Sequence, residues 1–393
     1  MRARLRFAAL CASLPAIAFA APAGAEPPQL EARAWALIDA RSGDLLASRA
    51  GQQRLPVAST TKLMTAYVAL RELPLGKRVR AAPYASIYGE SLLELRPGER
   101  VSVRDLLLGL ILRSGNDAAY DLALATSGSE AAFVREMNRY ASALGLVDTH
   151  YANPIGLDER GNFSSAFDLT ALARRLLRDP VFARIAASRD ALLRSLRPAR
   201  RIETLNDFLL AVPWATGVKT GHTFDAAYVL VGSGRRDGVE LISAVLGAPT
   251  ETARDGETAE LLEYGFSKYR KRVPVRAGQA LATPSIRYSG GELPLHAPRT
   301  IAIGARRGQE VRLAVRAPEE VEGPLRRGAR LGRAIVYVDG LRAAATPLLA
   351  SRAVPEASTF DRLRSVLGDN ALWLALALSA ILIAVVLMRR LKR

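Results

Sequence analysis

The sequence predicts an α+β protein: an antiparallel sheet flanked by helices, followed by a small all-β sandwich domain and a C-terminal transmembrane helix. Three observations carry this reading. Strand-like runs stand at both ends of the first two-thirds of the chain, with helical periodicity between them. Helix signals vanish after the basic junction Lys268 to Lys271, where short alternating segments punctuated by Gly and Pro take over. Ala371 to Met388 then holds 18 residues without a single charge.

Residues 1–25 read as a secretory signal. Arg2, Arg4 and Arg6 form a basic start, Phe7 to Ala21 an apolar stretch, and Ala23-Gly24-Ala25 a small-x-small cleavage site before Glu26. The unit over 26–268 opens with a hairpin: strand Ala34 to Ile38, turn Arg41 to Asp44, return strand from Leu45. From Ser59 to about Leu73 the apolar residues Leu63, Ala66, Tyr67 and Leu70 recur at spacings of three and four, a helix. Ser102 suits the N-cap of a helix through Leu112. Asp117 to Ala125, Ser129 to Leu144 and a segment opened by Ser165 or Asp168 and ending at Leu177 are also helical in pattern. The period then changes: 226–232 and 239–246 read as strands around a turn over Gly234 to Gly238, beside a strand carrying Val218 and Lys219. A helix from Glu251 to about Phe266 closes the unit.

Residues 269–352 show only short strands, at 300–303, 311–316 and 334–338, the profile of a β-sandwich. Residues 353–370 form a linker. At about 1.5 Å per residue, 371–388 covers roughly 27 Å, close to the hydrocarbon thickness of a bilayer. The tail 389–393 carries four basic residues and no acid, which places it in the cytoplasm and the body outside.

The net charge is +17, with no basic run interleaved with aromatics. This argues for an anionic neighbour such as a lipid surface or polymer, and no nucleic-acid partner is expected. The single cysteine, Cys11, lies in the signal, which excludes disulfides, Cys-built metal sites and thiol catalysis from the mature chain. With three histidines in all, neither a metal site nor a cofactor is expected.

Three short motifs carry chemistry. In Ser59-Thr60-Thr61-Lys62, residues i and i+3 share a helix face, so the Lys62 amine lies beside the Ser59 hydroxyl, which needs a base to act as a nucleophile. Ser114-Gly115-Asn116 puts a hydroxyl and an amide on a bend after an apolar helix. In Lys219-Thr220-Gly221, followed by His222 and Thr223, a strand supplies a cation, and a glycine lets another backbone approach. Each is weak alone. In this order, with Ser114 lying 55 residues after Ser59 and Lys219 103 after Asn116, they match the S-x-x-K, S-x-N, K-T-G set of penicillin-interacting serine enzymes.

On these motifs, within PVASTTKLMTAYVAL (56–70), LRSGNDAAYDLA (112–123), MNRYASALGLVDTHYANPIGLD (137–158), VKTGHT (218–223) and GPLRRGARLG (323–332), the chain resembles the low-molecular-mass D-alanyl-D-alanine carboxypeptidases, the penicillin-binding protein 5/6 family. The resemblance implies a β-lactamase/transpeptidase-like catalytic domain on the periplasmic face of a bacterial inner membrane. It implies peptidoglycan stem peptides ending in D-Ala-D-Ala as substrate, and β-lactams as inhibitors. It assigns Ser59 as nucleophile, Lys62 as base and Ser114 as proton relay. Asn116, Lys219, Thr220, Gly221, His222 (through its backbone N–H), Thr223 and Arg254 become substrate-binding residues. In one departure from the family pattern, Ala227 stands where a glycine often precedes the tyrosine at position 228. The alternatives are a D,D-endopeptidase, a class A β-lactamase with Glu159 as its one available loop acid, and a non-catalytic penicillin-binding scaffold.

Overall fold

The computed structural model describes residues 26–367 and 371–391; the expected signal over 1–25 lies outside the described residues. The chain opens with β1 (Ala34–Asp39) and β2 (Leu45–Arg49), then a 3-10 turn over Ala58–Thr61 that runs into α1 (Lys62–Glu72). A small hairpin, β3 (Arg78–Arg80) and β4 (Arg100–Ser102), precedes α2 (Val103–Leu112), α3 (Asn116–Ser127), α4 (Glu130–Ala143), α5 (Ala166–Leu177) and α6 (Pro180–Ala186). A second hairpin, β5 (Asp190–Leu193) and β6 (Arg200–Glu203), leads to α7 (Asp207–Ala211), β7 (Ala215–Thr223), β8 (Ala227–Arg236), β9 (Val239–Ala248) and α8 (Glu251–Ser267). The helices start where hydroxyls accept otherwise orphaned backbone N–H groups: Ser102, Ser129, Ser165 and Thr250 each bond the N–H three residues on. Ser165, not Asp168, is therefore the cap of α5.

The main sheet has the order β2-β1-β9-β8-β7, and every pairing in it is antiparallel. Side chains alternate across it with period two. Ala34, Ala36 and Ile38 of β1, with Ile242, Ala244 and Leu246 of β9, face the core shared with α1 to α5. Trp35 and Leu37, with Leu241 and Val245, face Leu261, Leu262 and Phe266 of α8. The expected five-residue turn between β8 and β9 is shorter. The strands run to Arg236 and from Val239, leaving Asp237 (φ +50°) and Gly238 (φ +76°), the two positive-φ residues of a tight primed hairpin turn.

Beyond α8 come only strands until residue 350: β10 (Tyr269–Val275), β11 (Ala280–Ala282), β12 (Ser285–Ile286), β13 (Gly291–Glu292), β14 (Leu295–His296), β15 (Ile301–Arg306), β16 (Val311–Arg316), β17 (Glu320–Val321), β18 (Arg330–Val338) and β19 (Leu341–Ala350). They form sheets of two, three and five strands around one apolar core that includes Val275, Ile303, Val336 and Leu348. This β-rich unit is joined tightly to the main sheet. The Tyr269 hydroxyl donates to Asp39 at 2.6 Å, and Arg306 pairs with Asp44. Gly304 lies so close to Val239 that a Cβ there would stand 2.1 Å from its Cγ2.

Two helices follow, α9 (Thr359–Leu367) and α10 (Ala371–Leu391). On α10, Leu376, Leu378, Ile381, Leu382 and Ile383 are exposed. Several other side chains of this helix fall outside the described residues. Among the described residues, no helix is long and apolar enough to cross a membrane.

Candidate active site

Ser59 sits in the 3-10 turn before α1. With three residues per turn, positions i and i+3 eclipse, and Lys62 lands over Ser59. Its Nζ donates to Ser59 Oγ at 2.8 Å and to the Ile155 carbonyl at 2.6 Å. The loop around Ile155 explains why Asn-Pro-Ile-Gly recurs in the resemblance. Asn153 Oδ1 accepts from the N–H groups of Ile155 and Gly156 and fixes the turn. Gly156, at φ +87°, lies flat on the nucleophile's turn, where a Cβ would stand 2.0 Å from the Ala58 oxygen. The Ile155 carbonyl and the Gly156 contact carried no chemical signal of their own in the sequence.

Lys62 is wholly buried, and its pKa lies well below the ordinary lysine value, through desolvation first and the Lys219 charge second. Lys219 enters from β7, is 2% exposed and donates to the Thr220 carbonyl at 2.7 Å. Burial, then the Arg254 charge, pulls its pKa down to about 7. Gly221 faces the nucleophile: a Cβ there would lie 2.9 Å from the Ser59 backbone nitrogen. Ser114 stands between α2 and α3 in the left-handed region, φ +57°. That conformation turns the chain into the cleft and starts α3 at Asn116.

These elements enclose a cleft of about 390 Å³ lined by Ser59, Ser114, Thr220, Gly221, His222 and Arg254, with Ser91, Thr204 and Asp207 among the further wall residues. Arg254, from the first turn of α8, is 2% exposed; its Nε bonds Asp255 at 2.8 Å. One terminal nitrogen is 3.0 Å from Glu251 but is not aligned to hydrogen-bond any described atom. The guanidinium thus keeps donors for a ligand. Asn116 is placed beside the cleft, its Nδ2 donating to Glu90 at 2.7 Å. Glu90, in the loop between β3 and β4, was not anticipated. Thr223 departs from expectation: its hydroxyl donates to Asp158 at 2.6 Å, capping the turn after β7, and it is not among the cleft-lining residues. The ring of His222 stacks on Tyr228, with centroids 4.2 Å apart.

Glu159, the acid a β-lactamase would need, instead accepts from Asn153 at 2.9 Å and does not line the cleft. Among the described residues, no cluster of three or more His, Cys, Asp or Glu side chains is placed to hold a metal.

A buried lysine bonded to a serine, opposite a second buried lysine on an edge strand, defines the penicillin-interacting class of serine hydrolases. The family profile described as D-alanyl-D-alanine carboxypeptidase, Peptidase_S11, matches residues 21–250. The chain is 34% identical to D-alanyl-D-alanine carboxypeptidase DacC of Escherichia coli, covering 88% of this chain and 90% of that one. It is 30% identical to DacF of Bacillus subtilis, covering 86% and 90%. Among solved structures, penicillin binding protein 5 of Haemophilus influenzae superimposes with a TM-score of 0.60 at 31% identity, over 85% of this chain and all of that one. A DD-transpeptidase from Streptomyces K15 superimposes at 0.58 and 30%, over 61% and 99%. The chain belongs to the D-alanyl-D-alanine carboxypeptidase family.

Proposed function

We propose that this protein is a serine carboxypeptidase that removes the terminal D-alanine from peptidoglycan pentapeptides through an acyl-enzyme on Ser59. The observation that carries the reading is the Lys62 amine, buried and held 2.8 Å from the Ser59 hydroxyl. A lysine so desolvated is neutral at working pH and takes the Ser59 proton as the oxygen attacks the penultimate D-Ala carbonyl. The backbone N–H groups of Ser59 and His222 stabilise the oxyanion. Ser114 relays the proton to the leaving amine. Arg254, Lys219 and Thr220 hold the terminal carboxylate, while Asn116 holds the acyl side. The C–N bond breaks, D-alanine departs, and water hydrolyses the ester. A β-lactam, which imitates the D-Ala-D-Ala end, acylates the same serine.

We read residues 1–25 as a cleaved signal, 26–268 as the catalytic domain and 269–352 as a β-sandwich that stands the cleft off the membrane. Residues 353–370 then link it to a span over 371–388 with its basic tail inside. The support is the uncharged 18-residue run and the basic residues after it. The location that follows is the periplasmic face of the inner membrane.

Detergent-solubilised full chain should release D-alanine from acyl-L-Lys-D-Ala-D-Ala, and its Ser59→Ala twin should not. Absence of release by the unmutated chain, with penicillin still labelling Ser59, would overturn the carboxypeptidase reading. Carbonate washing should leave the chain in the membrane fraction and release a form ending at residue 370; release of both would remove the span.

A further inference from the structure

Glu90 stands beside the acyl side of the cleft with no part in the chemistry above. Its loop is tied down. The Asn116 N–H donates to the Ser91 carbonyl at 2.8 Å, and the Asp117 carboxylate accepts from the N–H groups of Leu93 and Leu95 at 2.8 and 3.0 Å. Its neighbours Gly89 and Ser91 line the cleft. The carboxylate itself is fixed by three donors: Asn116 Nδ2 at 2.7 Å and the Tyr84 hydroxyl at 2.6 Å on one oxygen, and the Ile87 N–H at 3.0 Å on the other. All three donors are neutral. In a chain with 55 Lys and Arg against 38 Asp and Glu, no lysine or arginine among the described residues forms an ion pair with it.

Partial burial alone would raise the Glu90 pKa; the bonds from Asn116, Tyr84 and Ile87, with the field of Lys62, outweigh it and hold the group below its ordinary value. It is therefore a carboxylate at neutral pH, beside a lysine that burial keeps uncharged. A carboxylate has room for about four acceptor contacts, and three are used. The cleft is thus polarised, with cations Lys219 and Arg254 at the end that takes the terminal carboxylate and a lone anion at the Asn116 end.

We propose that Glu90 is a specificity-determining residue that selects substrates with an ammonium on the residue preceding D-Ala-D-Ala, the side-chain amine of a diamino acid. This rests on the acyl-enzyme reading, which sets the substrate's direction in the cleft.

The test compares kcat/KM of the detergent-solubilised full chain on acetyl-L-Lys-D-Ala-D-Ala and on the same peptide with its ε-amine acetylated. A charge-assisted contact at a half-buried site predicts about a five- to tenfold preference for the free amine. The ratio should fall near one in Glu90→Gln and survive in Glu90→Asp. A role confined to holding Asn116 would slow both peptides alike and leave the ratio intact, which overturns the proposal; so does an unmutated chain without preference. A salt titration of the unmutated chain checks the point without any variant: the preference should shrink as salt rises, and a salt-independent preference counts against it. If neither peptide is cleaved, the carboxypeptidase reading fails separately. Acylation of Ser59 by ampicillin and by benzylpenicillin, which differ by one ammonium, then decides on Glu90. A ratio that drops in Glu90→Gln supports the proposal, and an unchanged ratio overturns it.

Discussion

The region around the main sheet and the β-rich unit beyond Lys268 bury different things. The first buries Lys62, Lys219 and Arg254, together with Asp105, Asp117, Asp121, Asp168 and Glu257; in the second, Thr346 is the one buried polar side chain among the described residues. Burying charge is costly unless it is bonded, and the first region shows two solutions. Its acids serve as loop clamps: Asp105 accepts from the Ser195 N–H, Asp121 from Ala82, Asp168 from Asp148, and Glu257 from Glu31 and Ala32. Its cations clamp no such loops and gather at the cleft. Buried acid here is architecture, and buried base is chemistry.

That division can be broken in three ways, taken from the largest effect to the smallest. Lys62→Met should cut the rate of Ser59 acylation by about 10²–10⁴-fold, the usual worth of a positioned base. The melting temperature should hardly move, because removing a desolvated amine offsets the lost bond to Ile155. Loss of folding alongside activity would make Lys62 a clamp after all. Leu348→Ala, at a fully buried site of the dry core, should cost about 2–5 kcal/mol there and lower the melting of that unit. Peptide hydrolysis below the transition should be untouched; a slowed kcat would show the units to be coupled through the chemistry. The smallest effect concerns pH. Lys219 holds its charge only up to about pH 7, so kcat/KM should decline on the alkaline side as that proton leaves. Because the Arg254 cation depresses Lys219, Arg254→Gln should raise its pKa and move the alkaline limb to higher pH, alongside weaker binding. An unmoved limb would detach the two cations.

Much of this was readable from the residues because it is local. The Ser59–Lys62 pair is set by three residues of backbone, the strand around Lys219 by alternation, and the helix starts by single hydroxyls. What escaped is what depends on distant packing. Glu90 reaches Asn116 across 26 positions from a loop with no periodicity. The hairpin of β5 and β6 is written in mixed Arg and Leu without turn dipeptides. Helices α6 and α7 are too short for a period to emerge. Thr223 looked like part of the K-T-G wall but is captured by Asp158, 65 residues earlier. The missing glycine at Ala227 does have a structural meaning: φ is +52° there, a conformation glycine adopts freely and alanine does not.

The joint at Gly304 has a consequence for how far the enzyme works from its anchor. The joint touches Val239, at the start of β9, while Tyr228 beside His222 pairs with Ala248 at its end. The ten residues of β9 separate these ends by about 30 Å of continuous strand. With Val239 pressed on Gly304 and Asp39 tied to Tyr269, there is no elbow between the two units. The protein is a stiff boom, and its only available pivot lies beyond residue 350. Working height is then fixed by the length of the boom, and angular reach by the short stretch between Ser351 and Ser358. Inserting residues there would widen the area of wall swept by one molecule without altering the geometry of its cleft.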